Sequence, residues 1–227
     1  MIQTTGRATA RRLPADADAP PTLESGDVMS RAEFERRYRL RPDLKRAELV
    51  EGVVFVASPL RNPHSVATVL VVTWLGHYMA RHPDVHAGDG GTVRLDLDNE
   101  LQPDAFLRVS EHAGGQSRID DDAFVQGAPE LVVEVAHSSV SRDLHAKKRV
   151  YERAGVREYI VWRIEEAAID WFALVDGAFV ARQPDAGGVI ESAVFAGLRL
   201  DVKALLRGDL ARVIDAVATP GGSSGLA

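Results

Sequence analysis

Glu130-Leu131-Val132-Val133-Glu134-Val135-Ala136 decides how this chain folds. It is a nearly continuous aliphatic run, the pattern of a strand covered on both faces rather than one with a wet side. Residues 142–154 follow with helical character, and Gly155 stands where a helix C-cap belongs. Residues 157–163, containing Glu158-Tyr159-Ile160-Val161-Trp162, form a second buried strand. A strand, about a dozen helical residues and another strand make a βαβ unit with a right-handed crossover. Within the first strand Glu134 is out of place. A carboxylate among valines is costly unless a cation, a buried partner or the wet end of a strand compensates it. Upstream, Gln102-Pro103-Asp104 sets a second carboxylate in the strand-like run 101–109. Two acids on neighbouring strands with a lysine nearby are the minimal apparatus for metal-assisted phosphodiester hydrolysis.

The chain outward from this unit reads as one α/β domain over residues 27–218. Residues 1–26 have no sustained period and read as a disordered leader, and 219–227 as a flexible tail. Ser30 with Glu33 has capping-box spacing, which predicts a helix to about Tyr38 with Phe34 inward. Residues 47–58 predict two strands around a turn at Glu51-Gly52. Asn62-Pro63 opens the longest helix, with Asn as N-cap and an apolar face through Val66, Val69, Leu70, Thr73, Trp74, His77 and Tyr78. Strands are expected at 84–87, 91–97 and 101–109. In the second, Val93, Leu95 and Leu97 alternate with Arg94 and Asp96, so one face should be wet. Residues 110–127 read as a loop. Shorter strands after Ala167 extend the sheet antiparallel, and their edges offer a surface for a homodimer. One or two helices over 201–218 close the domain.

Bulk properties narrow the function. The chain has 227 residues, 45% of them hydrophobic, and no cysteine. That removes thiolate chemistry and cysteine-bound zinc and fits a reducing, cytoplasmic setting. No apolar run is long enough to span a bilayer, and none follows the N-terminal arginines as in a secretory signal. The net charge of −6 disfavours tight unassisted binding of a polyanion, although a local basic patch remains compatible with it. No HExxH, G-x-S-x-G, P-loop or dinucleotide fingerprint occurs, and Gly88-Asp89-Gly90-Gly91 is a turn.

Asp104 and Glu134 together suit a hard cation. Magnesium, with manganese as a substitute, is commonly held by one or two carboxylates plus substrate phosphate. Lys147 and Lys148 both lie in the 142–154 helix and could act on a phosphate or a water. Asp143 stands four residues before Lys147 and could equally form a helical pair with it. Glu48, on the first strand, could complete the metal's outer shell or be solvated. His64, in the first turn of the long helix, could donate to a phosphate or rest on the surface.

Taken in order, several pieces resemble the Uma2-like endonuclease family of the PD-(D/E)xK restriction-endonuclease-like superfamily. They are Glu48-Leu49-Val50-Glu51-Gly52, Ser58-Pro59, His64, Pro103-Asp104, Gly127-Ala128-Pro129-Glu130 through Val135, Asp143, Lys147, Tyr151, Gly155-Val156 and Glu158-Tyr159. The resemblance implies an αβββαβ core, a mixed sheet flanked by helices, and the acids on a central hairpin. It implies Asp104 and Glu134 as metal ligands, Lys147 as the catalytic lysine, and Glu48 as an additional acid. His64, Asp143 and Tyr151 would support them. The expected partner is nucleic acid, DNA foremost; the other reading is a non-catalytic binding or assembly module on the same fold. Ala136 stands where the superfamily pattern has its lysine. His137-Ser138-Ser139 lacks the family's usual proline, and Trp162-Arg163 replaces an aspartate.

Overall fold

The structure, a computed structural model, describes residues 22–217. In chain order it comprises α1 (Arg31–Arg39), β1 (Ala47–Val50), β2 (Val53–Val56), α2 (Asn62–Met79), β3 (Val85–Asp89), β4 (Val93–Arg94), β5 (Glu100–Leu101) and β6 (Ala105–Val109). Then come β7 (Arg118–Ile119), β8 (Val125–Gln126), β9 (Leu131–Ala136), the helix α3 (140–154), β10 (Glu158–Arg163), β11 (Ala168–Val175) and β12 (Ala178–Arg182). The chain closes with β13 (Val189–Glu191), β14 (Arg199–Asp201), α4 (Val202–Leu206) and α5 (Leu210–Asp215).

One sheet has the order β12-β11-β10-β9-β6-β3, with β9 and β10 parallel and the other pairs antiparallel. Read as α2-β3-β6-β9-α3-β10, this is the αβββαβ core, and β11 and β12 extend it antiparallel. A second sheet, β2-β1-β5-β4-β8-β7, lies beside it, and β13 pairs with β14.

The alternation of β9 explains its aliphatic run. Leu131, Val133 and Val135 join the core that contains Ala67, Val71, Trp74 and Leu75 of α2. Val132 and Ala136 join the opposite core, with Val150 and Tyr151 of α3. Both faces are covered, and Glu134, in phase with Val132 and Ala136, points to the α3 side.

Several expectations are corrected. The buried face of α2 is His64, Ala67, Val71, Trp74, Leu75 and Tyr78, whereas Val66 and Val69 are exposed. This helix is apolar almost all round, so periodicity did not select a face; contact with β3, β6 and β9 does. Arg61, not Asn62, is its N-cap residue. Ser30 makes no side-chain capping bond, and the Glu33 carboxylate, held by Arg36 and Arg37, does not supply the reciprocal bond of a capping box. Arg94 is buried and Leu97 exposed, the reverse of the wet-face reading. The run 101–109 is broken at Gln102-Pro103-Asp104, where the chain leaves the second sheet at β5 and enters the core sheet at β6. Residues 110–127 carry β7 and β8 rather than only a loop. Residues 22–26, read as leader, are packed: Leu23 is buried and Gly26 N–H donates to the Val54 carbonyl at 2.9 Å. The rest of that leader, residue 218 and the expected tail lie outside the described residues.

Candidate active site

The register of the β6–β9 pair brings the two acids together. Ala105 faces Val133, so Asp104, the residue before β6, lies beside Glu134. Val135 N–H donates to Asp104 Oδ2 at 2.8 Å, which fixes that carboxylate against β9. His64 Nε2 lies 3.2 Å from the same oxygen, and Thr68 hydroxyl lies 3.3 Å from its Nδ1. The first turn of α2 therefore places His64 on Asp104. Arg46 Nη1 donates to Asp104 Oδ1 at 3.3 Å and its Nη2 to the Gln102 carbonyl.

The helix α3 delivers the lysine. Its middle turn, Asp143–Lys147, is wider than α-helical, a π-type insertion of the kind frequent at functional sites. Lys147 Nζ donates to Glu134 Oε1 at 2.9 Å and to Glu48 Oε1 at 2.8 Å. Tyr151, one turn on, donates to Glu134 Oε1 at 2.8 Å. Glu48 Oε1 also accepts from Gln102 N–H at 2.9 Å. Lys148 turns away and sits 3.9 Å from the Phe172 ring centroid, so Lys147 is the lysine that reaches the acids. Asp143 accepts from Ser139 Oγ, and its backbone carbonyl accepts from Tyr159 hydroxyl at 2.9 Å. All the expected site residues therefore lie in one neighbourhood. His64 meets Asp104 rather than open solvent.

Burial sets the electrostatics. Glu134 is 3% exposed and Lys147 2%. Burial, then the nearby charges of Asp143, Asp104 and Glu48, push the Glu134 carboxyl up in spite of Lys147. Burial alone would push Lys147 down, but Glu134, Glu48 and Asp143 outweigh it and the ammonium is held charged. Burial likewise raises Asp143. Asp104 goes the other way: burial opposes ionisation, but the His64 contact, Val135 N–H and Lys147 together hold its carboxyl below the usual range. Four carboxyl groups, those of Glu48, Asp104, Glu134 and Asp143, thus surround the buried Lys147 and the half-buried Arg46. Such a cluster draws in protons or a further cation.

Among the described residues no three His, Asp or Glu side chains form a group that could hold an ion by itself. Glu134 Oε2, however, accepts no hydrogen bond from any described residue, and both Glu134 and Asp104 line the cleft. Two carboxylates offering only oxygen fit Mg²⁺, which completes its shell with water and phosphate.

Three residues that complete the site went unread in the sequence. Arg46 is two residues before Glu48, which is the same-face spacing of a strand, and that was the available signal. Tyr159 stands in the sequence as part of a buried strand and of the Glu158-Tyr159 piece of the resemblance, with no site role attached. Arg142 carried no local signal at all.

An αβββαβ core with two acids side by side at its β6–β9 pair, which is not a hairpin because β7 and β8 intervene, and a lysine from the crossover helix define a restriction-endonuclease-like α/β protein. The chain belongs to the Uma2 family: the family model described as "Putative restriction endonuclease" matches residues 31–203. A similar solved structure is that of a "putative nuclease belonging to DUF820" from Anabaena variabilis, with a TM-score of 0.58 and 13% identity. The match covers 71% of this chain and 90% of that one, and at this identity it speaks for the fold. No sequence among curated proteins matches significantly. Among the described residues no helix is long and apolar enough to cross a membrane.

Proposed function

We propose that this protein is a metal-dependent endonuclease that hydrolyses phosphodiester bonds of nucleic acid, DNA foremost. The observation that carries the reading is the Lys147 ammonium seated between Glu48 and Glu134 at the floor of a cleft. Asp104 and Glu134 would hold Mg²⁺, with Mn²⁺ able to substitute. A bound Mg²⁺ lowers the pKa of its water and neutralises charge on the phosphoryl oxygens. Lys147 serves as a fixed positive charge for a non-bridging oxygen of the substrate. Glu48 and Tyr151 restrict the motion of Lys147 and Glu134, and His64 and Arg46 orient Asp104.

A second reading, a non-catalytic binding module on the same fold, is favoured by a specific observation. Glu134 and Asp104 already have internal cations in Lys147 and Arg46. The two readings part on one experiment. Supercoiled plasmid and a single-stranded oligonucleotide are incubated with wild type and with Glu134→Ala, in Mg²⁺, in Mn²⁺ and in EDTA. The nuclease reading expects cleavage by wild type with metal only. It also expects a metal-induced rise in melting temperature that Glu134→Ala abolishes, since ligand binding to the native state stabilises it. Equal cleavage by both proteins, or no cleavage and no metal-induced shift, overturns it.

A further inference from the structure

The cleft above the carboxylates has a volume of ≈ 1020 Å³. One wall is the segment 58–64 leading into α2, and the other is the segment 137–149 of α3 and its approach. Most basic side chains lining the cleft are engaged. Arg46 is bonded to Asp104 and Gln102, Arg149 donates to Glu51 at 2.9 Å, and His137 lies 2.9 Å from Glu165. Two arginines are different. Arg61, on the first wall, is exposed and pairs with no described residue. Arg142, which lines the same cleft from α3, has a buried Nε without a hydrogen-bond partner, while its side chain as a whole is partly exposed. Its nearest carboxylate oxygen, Asp143 Oδ1, is 3.8 Å away and is itself unpartnered.

A buried donor left unsatisfied in a native fold calls for a ligand or another explanation. The buried Nε faces Asp143, and the partly exposed remainder of the guanidinium is what the cleft can use. The Arg142 guanidinium carbon lies 5.1 Å from the Phe55 ring centroid, which steadies the planar group. A guanidinium presents a donor fork that matches the oxygens of a phosphate. In a chain of net charge −6, an Arg61 unpaired among the described residues and an Arg142 engaged only loosely by Asp143 at 3.8 Å line one cleft and form a local exception to the repulsion a polyanion meets elsewhere.

We infer that Arg61 and Arg142 hold the phosphates on either side of the one at Lys147. The site therefore takes a polynucleotide strand, and a mononucleotide or a small phosphodiester lacks the groups that would seat it. This rests on the reading of the cleft as a nuclease site. It goes further in assigning the flanking contacts and the minimum substrate.

The test is equilibrium binding of a fluorescently labelled oligothymidine strand, followed by anisotropy in EDTA so that nothing is cut, across a salt series. Wild type should bind with an affinity that falls linearly with salt on logarithmic axes. Arg61→Ala and Arg142→Ala should each weaken binding several-fold and reduce the slope by ~0.7, one phosphate on a single strand. Arg142→Lys should recover the slope but not the full affinity, because the charge returns without the fork. Arg182→Ala, on the edge strand β12, should match wild type. Both cleft variants should keep the wild-type melting temperature. No binding by wild type at low salt, or unchanged slopes in both cleft variants, overturns the inference. Binding with these slopes but neither cleavage nor a metal-induced melting shift would remove the nuclease reading and leave the phosphate contacts in place.

Discussion

Lys147 is the residue on which the site's charge balance turns. It is buried, and each of its two carboxylate contacts is shorter than 3 Å. Removing one partner of a buried ion pair leaves an uncompensated charge and costs about 3–5 kcal/mol. Lys147→Met should therefore lower stability by that order at neutral pH. The sign of the pH dependence follows from the acids left behind. Burial already holds the Glu134 carboxyl above its ordinary value, and without the ammonium it rises further, so the variant regains stability as pH falls and loses it as pH rises. Urea denaturation at acidic and neutral pH measures both. A loss of the same size at every pH would mean that Lys147 matters through packing alone. The choice of Lys147 over Lys148 was open in the sequence, since adjacent helical residues differ only in direction. The lysine's direction depends on the wider turn at Asp143–Lys147, which no short-range pattern announced.

At the scale of elements, the most consequential misreading is Arg94. Alternation in 91–97 put it in water, yet it is a buried tie. Its guanidinium contacts Glu35 of α1 and Glu100 of β5 at 3.2 Å each, and Asp120 and Asp122 of the β7–β8 turn at 2.7 and 3.2 Å. Burial, and then the bond to the Glu35 carboxylate, push Glu100 up from 4.5 to about 7. The folded state thus holds that proton more tightly than the unfolded chain. The stability this contributes is complete below pH 4.5 and is lost as pH rises through about 7. The size is on the order of 3 kcal/mol at 1.36 kcal/mol per unit. Glu100→Gln, which cannot ionise, should flatten the melting temperature across this window. A variant that follows the wild-type curve would refute the assignment.

At the scale of the molecule, the C-terminal segment is part of the core rather than an appendage. Ile190, Phe195, Leu198, Leu200, Leu205 and Val213 are all buried in the cluster that contains Trp74 and Tyr78 of α2. Trp74 Nε1 donates to the Arg199 carbonyl at 2.9 Å and Tyr78 hydroxyl to the Ala196 carbonyl at 3.1 Å. Glu158 of β10, fully buried, accepts from Ala193 N–H at 2.9 Å, from Trp171 Nε1 at 3.2 Å and from Ser192 Oγ. Six such side chains represent roughly 10 kcal/mol of apolar burial, comparable with the whole net stability of a domain. Deleting residues 189–217 should abolish cooperative unfolding in a circular-dichroism melt. A truncated chain that melts like the full one would show that the segment is dispensable.

The sequence by itself determined the βαβ unit, because an aliphatic strand buried on both faces and a helix stopped by glycine are local patterns. Gly155 indeed takes the left-handed conformation, φ 84°, that its place as a C-cap requires. It also marked the acids, since a carboxylate in a valine run is costly wherever that run is buried. Only the tertiary structure decided which face of α2 is buried, that the chain changes sheets at Asp104, and that Arg46, Arg61 and Arg142 belong to the cleft. Those outcomes depend on contacts between residues far apart in the chain, such as Glu48 and Lys147, separated by 99 positions. Hydrophobic periodicity acts over a few turns or strand repeats. The pairing of buried charges is settled only when the sheets and helices that carry them meet.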